Sequence, residues 1–384
     1  MPLKVCVITS SRSDWGLLQP VAALMKTDAD FDLKIIVTGQ HLVAAAGHSA
    51  DEIVGEGFTI DERVDMGMGD DSALGVTTAL AKAVEGIGRA IHRLKPDIIM
   101  LLGDRYEILG AATAATIARV PIAHLCGGDV TEGAVDDAFR HAITKMSHLH
   151  FVTTPEAERR VQQLGEDPAH VFMVGSTGLD RIRTAKLLGR AAFFESIGLQ
   201  PRTKNILSTF HPETLEPKTR EHAREMLEAF DLLGPDTGIL FSGTNSDVEG
   251  LAIGQDIALF VKTHPNAVLV QNLGSVRYLS ALKHMDAIVG NSSSGLYEAP
   301  SFQIPTVNIG DRQKGRPRAA SVIDTRADRQ TILAALRQAF TLNCTNIANP
   351  YGDGYSAPRV MQTLKAQGDL QPLLKKQFLD ARAS

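Results

Sequence analysis

Short apolar runs recur along this chain, separated by longer segments in which apolar residues return every three or four positions. In the first half the runs fall at 5–8, 33–37, 98–102, 122–125, 150–153 and 171–174. They resume at 205–210, 237–241, 267–270, 287–289 and 306–309. Stretches such as 17–25 and 108–118 carry the helical spacing between them. Runs that are apolar throughout, rather than alternating, are what a parallel sheet covered on both faces demands. The pattern predicts an α/β chain with two doubly wound, Rossmann-like domains, at 1–178 and 179–360, followed by a helical tail at 361–384 whose amphipathic pattern begins at Ala357. The break is expected near 176–186, where Met173-Val174-Gly175 runs into a polar helical segment. Such a pair of domains is expected to bind its ligand in the interdomain cleft, at the carboxyl ends of the strands.

Composition narrows the class. The chain has 384 residues, 44% hydrophobic and 22% charged, as a two-domain globular enzyme should. A net charge of −5 supplies no global basic field for nucleic acid or an anionic membrane. Cys6, Cys126 and Cys344 are few, odd in number and far apart, which argues against a disulfide framework or a zinc-binding CxxC pair. The run Leu3-Lys4-Val5-Cys6-Val7-Ile8 is too short for a signal-peptide core, and no apolar stretch approaches the ~18 residues of a membrane span. A cytoplasmic setting is expected.

The unusual residues gather where the apolar runs end. Thr9-Ser10-Ser11-Arg12-Ser13-Asp14 follows the first, Gly103-Asp104-Arg105-Tyr106-Glu107 the run at 98–102, and Cys126-Gly127-Gly128-Asp129 the run at 122–125. His211-Pro212-Glu213-Thr214, Gly243-Thr244-Asn245-Ser246-Asp247 and Gly290-Asn291-Ser292-Ser293-Ser294-Gly295-Leu296-Tyr297-Glu298 do the same in the second half. The last of these is a strand leading into small hydroxyl residues and then a helical pattern. It offers backbone N–H groups, hydroxyls and a helix N-terminus to an anion, with Glu298 placed to accept from ribose hydroxyls. A nucleoside diphosphate suits that pairing, although Ser, Asn and Gly also make ordinary helix caps. Asp104, Asp129, Glu132, Asp136 and Asp137 form an acid cluster near Arg140, His141 and Lys145. A helix over 136–147 would put Asp136 and Arg140 on one face and Asp137 and His141 on the next, an arrangement also seen in plain i,i+4 ion pairs on a solvated helix. Gly127-Gly128 would let the backbone approach a ligand closely. Carboxylates gathered at one site have their pKa values pushed apart, which separates acid from base. His211 is a candidate general acid or base, and Arg12 a phosphate-binding cation.

Six ordered motifs carry a resemblance. They are Ser11-Arg12-Ser13-Asp14, Leu102-Gly103-Asp104-Arg105-Tyr106-Glu107, Arg140-His141-Ala142-Ile143-Thr144-Lys145-Met146-Ser147, Phe210-His211-Pro212-Glu213-Thr214, the loop from Gly290 to Gly295, and Asn308-Ile309-Gly310-Asp311-Arg312-Gln313-Lys314-Gly315-Arg316. From Lys4 to about Asp324 the chain resembles the hydrolysing UDP-N-acetylglucosamine 2-epimerases of sialic-acid biosynthesis. The resemblance implies a GT-B-like pair of Rossmann domains, UDP held mainly by the second, no redox or other cofactor, no metal, and a homo-oligomer (dimer or tetramer). It also implies that UDP-GlcNAc and water become N-acetylmannosamine and UDP, through elimination to 2-acetamidoglucal and water addition. Asp104, Asp129, Glu132, Asp136 and Asp137 would share the proton transfers, with His211 assisting. Arg12, Arg105, Arg140, Asn245, Gly290, Asn291, Ser292, Ser293, Ser294, Gly295, Glu298 and Arg316 would bind the substrate.

One departure bears on the sugar. Relatives usually carry Gly-Gly-Glu where this chain has Gly127-Gly128-Asp129, so one carboxylate is withdrawn by a methylene. The loop could sit closer, Glu132 could take over, or the substrate could differ. Thr131-Glu132-Gly133 resembles a branch acting on UDP-2,4-diacetamido-2,4,6-trideoxyglucose in legionaminic-acid synthesis. Non-hydrolysing epimerases, GT-B glycosyltransferases and a non-catalytic UDP-sugar-binding protein are the competing readings.

Overall fold

A computed structural model describes residues 1–43, 49–70, 72–131, 135–212, 218–243 and 248–380. The chain divides into two compact units, Met1–Arg181 together with Tyr351–Ser384, and Ile182–Pro350. In the first unit a seven-stranded parallel sheet runs β3-β2-β1-β4-β5-β6-β7. Its strands are β1 (Leu3–Thr9), β2 (Phe31–Thr38), β3 (Glu62–Val64), β4 (Ile98–Leu102), β5 (Ile122–Leu125), β6 (Leu149–Val152) and β7 (Val171–Met173). The second unit has the order β10-β9-β8-β11-β12-β13. These strands are β8 (Lys204–Thr209), β9 (Thr237–Ser242), β10 (Ala267–Val270), β11 (Ala287–Gly290), β12 (Thr306–Ile309) and β13 (Val322–Thr325). Both are doubly wound α/β sheets of Rossmann type. The strands absent from the sequence-based expectation, β3 and β13, are short edge strands. Their sequences, Glu-Arg-Val and Val-Ile-Asp-Thr, include charged residues and are largely exposed or half-exposed, so neither forms a continuous apolar run.

Strand order reverses between β1 and β4 in the first unit and between β8 and β11 in the second. Helices that cross to opposite faces leave a crevice at each reversal, and loops leaving the carboxyl ends of those strands border it. Each of these four strands is followed by one of the polar segments singled out in the sequence. Apolar runs such as Ile98–Leu102, buried along its whole length, leave no room for polar side chains within the sheet.

The carboxy-terminal residues divide differently from the sequence-based expectation. Residues 351–384 return to the first unit, so 351–360 does not belong to the second domain and 361–384 is not a separate tail. The helix Ser356–Ala366 supplies Val360, Met361 and Leu364 to the core that holds Leu18, Val21 and Met25 of α1 (Arg12–Thr27). Burying each such side chain contributes roughly 1.5–3 kcal/mol. Asp180 fixes the start of that helix: its carboxylate accepts from the backbone N–H groups of Ser356 (3.1 Å) and Ala357 (2.9 Å). Periodicity shows that this helix has an apolar face but not which core receives it.

Two buried imidazoles in the first unit are structural. His41 lies between the hydroxyls of Thr9 (3.0 Å) and Ser49 (2.8 Å), and His124 between Gly103 O (2.8 Å) and Thr144 Oγ1 (3.2 Å). Burial pushes their pKa values down, to about 4 for His41, where the nearby Arg12 charge adds, and about 3 for His124. An unfolded histidine titrates near 6.5, so the unfolded chain binds more protons below that pH. Stability should therefore fall as pH drops from 6.5 toward 4, by up to about 1.4 kcal/mol per pH unit for each ring. The urea midpoint measured across this range tests it: the slope should shrink in His41→Gln, and a flat midpoint in the wild-type chain refutes the assignment. A second expectation concerns Gly290 (φ 135°), whose added Cβ would sit 2.0 Å from Thr209 O. Gly290→Ala should cost about 2 kcal/mol or more, read as a lower thermal midpoint.

Candidate active site

The first unit gathers its acids around one buried cation. Arg140 lies in α5 (Asp136–Met146) and is 7% exposed. Its Nη2 donates to Asp104, in the loop after β4, and to Thr131 Oγ1 at 3.1 Å. Its Nη1 is 3.7 Å from the Asp137 carboxylate, and neither Nη1 nor Nε makes a hydrogen bond among the described residues. Asp137 also accepts from the Thr131 backbone N–H at 2.8 Å and lies 3.5 Å from His141. Such a buried guanidinium with donors to spare suits a ligand oxygen, because unsatisfied buried donors are costly. The i,i+4 pairing of Asp137 with His141 on the helix surface is present, while Arg140 turns inward and pairs with Asp104. Burial raises the Asp104 carboxyl above its ordinary range; the Arg140 charge opposes this and Asp136 reinforces it. A carboxyl raised in this way sits closer to the working range of a general acid or base.

Asp129 is held by Thr153, whose hydroxyl donates to it at 2.5 Å. The two preceding glycines are required by the protein's own packing. A Cβ on Gly128 (φ 78°) would fall 2.3 Å from Ala157 O, and one on Gly127 would press on the side chains of His124 and Thr144, both at 3.0 Å. The small residues let the loop lie against protein, on the helix Pro155–Gln163 and on β5. Glu132 lies outside the described residues, as does Asn245. Beside the acids, Cys126 adopts a left-handed conformation (φ 62°), and burial, then the Asp129 charge, keep its thiol protonated.

Two predicted cations have protein partners. Arg105 donates to Glu107 Oε1 through Nε (3.2 Å) and Nη2 (2.7 Å). Arg12 pairs with Glu52 of α2 (Ala50–Gly55), and both side chains are at least half exposed. An exposed pair of this kind is weak enough to yield to a ligand.

In the second unit His211, after β8, and Asn291, after β11, clasp each other. Asn291 Oδ1 accepts from the His211 N–H (2.7 Å), and Asn291 Nδ2 donates to His211 O (2.8 Å). Gln313 Nε2 and Arg312 Nη1 donate to Asn291 O at 2.7 and 3.2 Å, and Arg316 Nη1 donates to Gln313 Oε1 at 2.7 Å. The segment after β12 thus braces the loop after β11. The Arg316 guanidinium lies 5.8 Å from the Tyr297 ring centroid.

The helix expected beyond this loop is a single turn, Ser294–Tyr297, continued by a 3₁₀ turn, Ala299–Phe302. Pro300 prevents it from extending, since proline has no N–H and disfavours helix in the residue before it. Glu298 therefore sits at the helix's end rather than in its first turn, and the macrodipole of one turn is small. The anion-binding case rests on the loop's own N–H groups and hydroxyls. Burial raises the Glu298 carboxyl, against the effect of the adjoining Ser294 hydroxyl, and its Oε2 is buried without a hydrogen-bond partner among the described residues. Burial also raises the Tyr278 phenol, and the Glu298 charge adds to this. Thr153 and Tyr278 escaped notice in the sequence, and Thr131 and Gln313 were seen only as members of motifs. A single threonine or tyrosine has no signature of its own.

Comparison with known proteins places this geometry in a family. The family described as UDP-N-acetylglucosamine 2-epimerase matches residues 23–365. The chain is 35% identical to the GDP/UDP-N,N'-diacetylbacillosamine 2-epimerase (hydrolyzing) of Campylobacter jejuni, over 98% of this chain and 99% of that one. It is 34% identical to the UDP-N,N'-diacetylbacillosamine 2-epimerase (hydrolyzing) of Legionella pneumophila, over 94% and 95%. The solved structure of UDP-GlcNAc 2-epimerase from Methanocaldococcus jannaschii superposes with a TM-score of 0.77 at 20% identity, covering 94% of this chain and 99% of that one. Among the described residues no helix is long and apolar enough to cross a membrane. The chain belongs to the UDP-N-acetylglucosamine 2-epimerase family, on the branch of the hydrolysing enzymes.

Proposed function

We propose that this enzyme hydrolyses a UDP-2-acetamido sugar with inversion at C2, and that UDP-N,N'-diacetylbacillosamine, a 2,4-diacetamido-2,4,6-trideoxy sugar nucleotide, is its principal substrate. The observation that carries the chemistry is the Asp104 carboxyl, raised by burial and held against the buried Arg140 beside Asp136 and Asp137. The likeness to the two hydrolysing diacetylbacillosamine enzymes supports the sugar. The family's own description favours UDP-GlcNAc as the second reading. Asp129, one methylene shorter than the usual glutamate, fits a changed sugar, because Thr153 already holds its carboxylate.

In the first step a carboxylate of the cluster takes the C2 proton. The C2–H electron pair becomes the C1=C2 double bond, and the C1–O bond breaks with its electrons leaving on UDP. The unsatisfied Arg140 donors and the neighbouring carboxylates steady the charge that develops around C1 and the sugar oxygens. Water then adds to the 2-acetamidoglycal: its oxygen bonds to C1 and gives up a proton to a carboxylate, while the C1=C2 electron pair takes a proton at C2 from a carboxylic acid on the opposite face. The products are the free C2-epimeric sugar and UDP. Asp104, Asp129, Asp136 and Asp137 share these transfers in this proposal, with Glu132 a further candidate. The loop Gly290–Gly295 and Arg316 hold the diphosphate, Arg12 adds its charge, Glu298 accepts from the ribose hydroxyls, and His211 assists departure of UDP.

Incubation with UDP-N,N'-diacetylbacillosamine and, in parallel, UDP-GlcNAc in D2O tests the proposal. Release of UDP with a free sugar carrying deuterium at C2 is expected, faster from the diacetamido substrate. Accumulation of an epimerised sugar nucleotide, or turnover only with an added acceptor, refutes it. Asp104→Asn should lower kcat by roughly 10²–10⁴-fold. The acidic limb of kcat/KM should lie above the ordinary aspartate range, since the deprotonated form is the base. In Arg140→Met that limb should move to still higher pH, because the charge that lowers the Asp104 pKa is gone. Glu298→Gln should weaken UDP by about ten- to a hundredfold in calorimetry. The same variant should narrow the preference for UDP over 2'-deoxy-UDP, which a carboxylate acting elsewhere would leave unchanged.

A further inference from the structure

The residues that return to the first unit end on the helix that carries Arg140. Lys376 Nζ donates to two backbone carbonyls at the end of α5, Lys145 O (2.7 Å) and Ser147 O (2.6 Å). Those carbonyls have no partner within the helix, and the negative end of its dipole favours a cation there. The same ammonium lies 2.6 Å from Glu166 Oε2. Glu166 is 2% exposed, and it also accepts from Lys145 Nζ (2.7 Å) and lies 2.9 Å from His150 Nε2 on β6. Burial alone would raise the Glu166 carboxyl; His150, Lys145 and Lys376 together outweigh it and bring it down to about 2, so it remains an anion. The Phe378 ring lies under Lys145 Nζ (4.6 Å) and so close to Gly165 that a Cβ there would meet it at 2.5 Å, and the Leu379 N–H donates to Gly165 O (3.1 Å).

We propose that Lys376 is a positioning residue for the reaction: it caps α5 from the carboxy-terminal segment and thereby sets where Arg140 stands relative to Asp104. This rests on the functional reading above, in which Arg140 and the acids act on the sugar. Arg140 lies five residues before Lys145, roughly 7.5 Å along the helix axis, so a shift at the capped end carries to it through a rigid rod. A displacement of about 1 Å at a reacting centre can cost about a hundredfold in rate. The loop proposed to hold the nucleotide belongs to the other unit. Loss of the cap should therefore act on kcat and leave nucleotide affinity in place.

The test combines kinetics with hydrogen exchange on the full chain. Lys376→Met should lower kcat for UDP release by about ten- to a hundredfold, change KM and the Kd for UDP by less than about threefold, and speed amide exchange in 136–147. Lys376→Arg, which keeps the charge and donors, should restore most of kcat and of the protection. Phe378 is 64% exposed, so Phe378→Ala weakens the same anchorage without opening the core and should shift both readouts in the same direction if Lys376→Met does not fold. Unchanged exchange in α5 overturns the cap, and faster exchange with unchanged kcat overturns the positioning role. If the wild-type protein releases UDP from neither sugar nucleotide, the functional reading fails, and the exchange data alone still decide whether Lys376 holds α5.

Discussion

Hydrogen bonding of β1 to β4 in one unit, and of β8 to β11 in the other, is the constraint from which each site follows. A parallel strand buried on both faces favours apolar side chains, so most polar chemistry is displaced to the strand ends. Where the winding reverses, the flanking helices diverge and the loops at those ends border open space. Asp104 stands after β4, and His211 and Asn291 after β8 and β11. The cores on either side of each sheet exclude water from the strands.

Within the first unit, electrostatics are organised by a single buried guanidinium. Arg140 is paired with Asp104, lies near Asp137 and keeps two donor groups unengaged among the described residues. Removing the cation would leave clustered carboxylates without compensation, and removing Asp104 would leave a buried charge short of its partner; both are expensive. Threonines at 131 and 153 hold the cluster's geometry by hydrogen bonds rather than by added charge. In the second unit the reciprocal His211–Asn291 clasp, reinforced by Gln313 and Arg312, fixes the backbone of the loop after β11.

Much of the fold was legible in the sequence because burial on both faces leaves an unambiguous apolar run, and eleven strands were read this way. The edge strands β3 and β13 were not, since charged residues interrupt their short segments. The acids of the candidate site were legible for a related reason: they follow buried strands, where polar residues stand out. Their supporting residues were not. Thr153 and Tyr278 look like any loop or helix residue until the partner they face is known, and Thr131 was marked only by its motif. The glycines at 127 and 128 were read as room for a ligand, and what they accommodate is protein, the carbonyl of Ala157 and the side chains of His124 and Thr144.

By itself, the sequence determined the α/β class, the two doubly wound sheets, the positions of the polar strand ends and the family that their motifs resemble. Each depends on local pattern, on the period of apolar residues or on the order of short motifs. Only the tertiary structure decided which charges meet. It turned Arg140 inward onto Asp104 and returned the residues after Pro350 to the first unit, with Lys376 at the end of α5. These outcomes join residues tens to hundreds of positions apart. A helical period records that a face is apolar or charged, and carries no information about which distant surface will cover it.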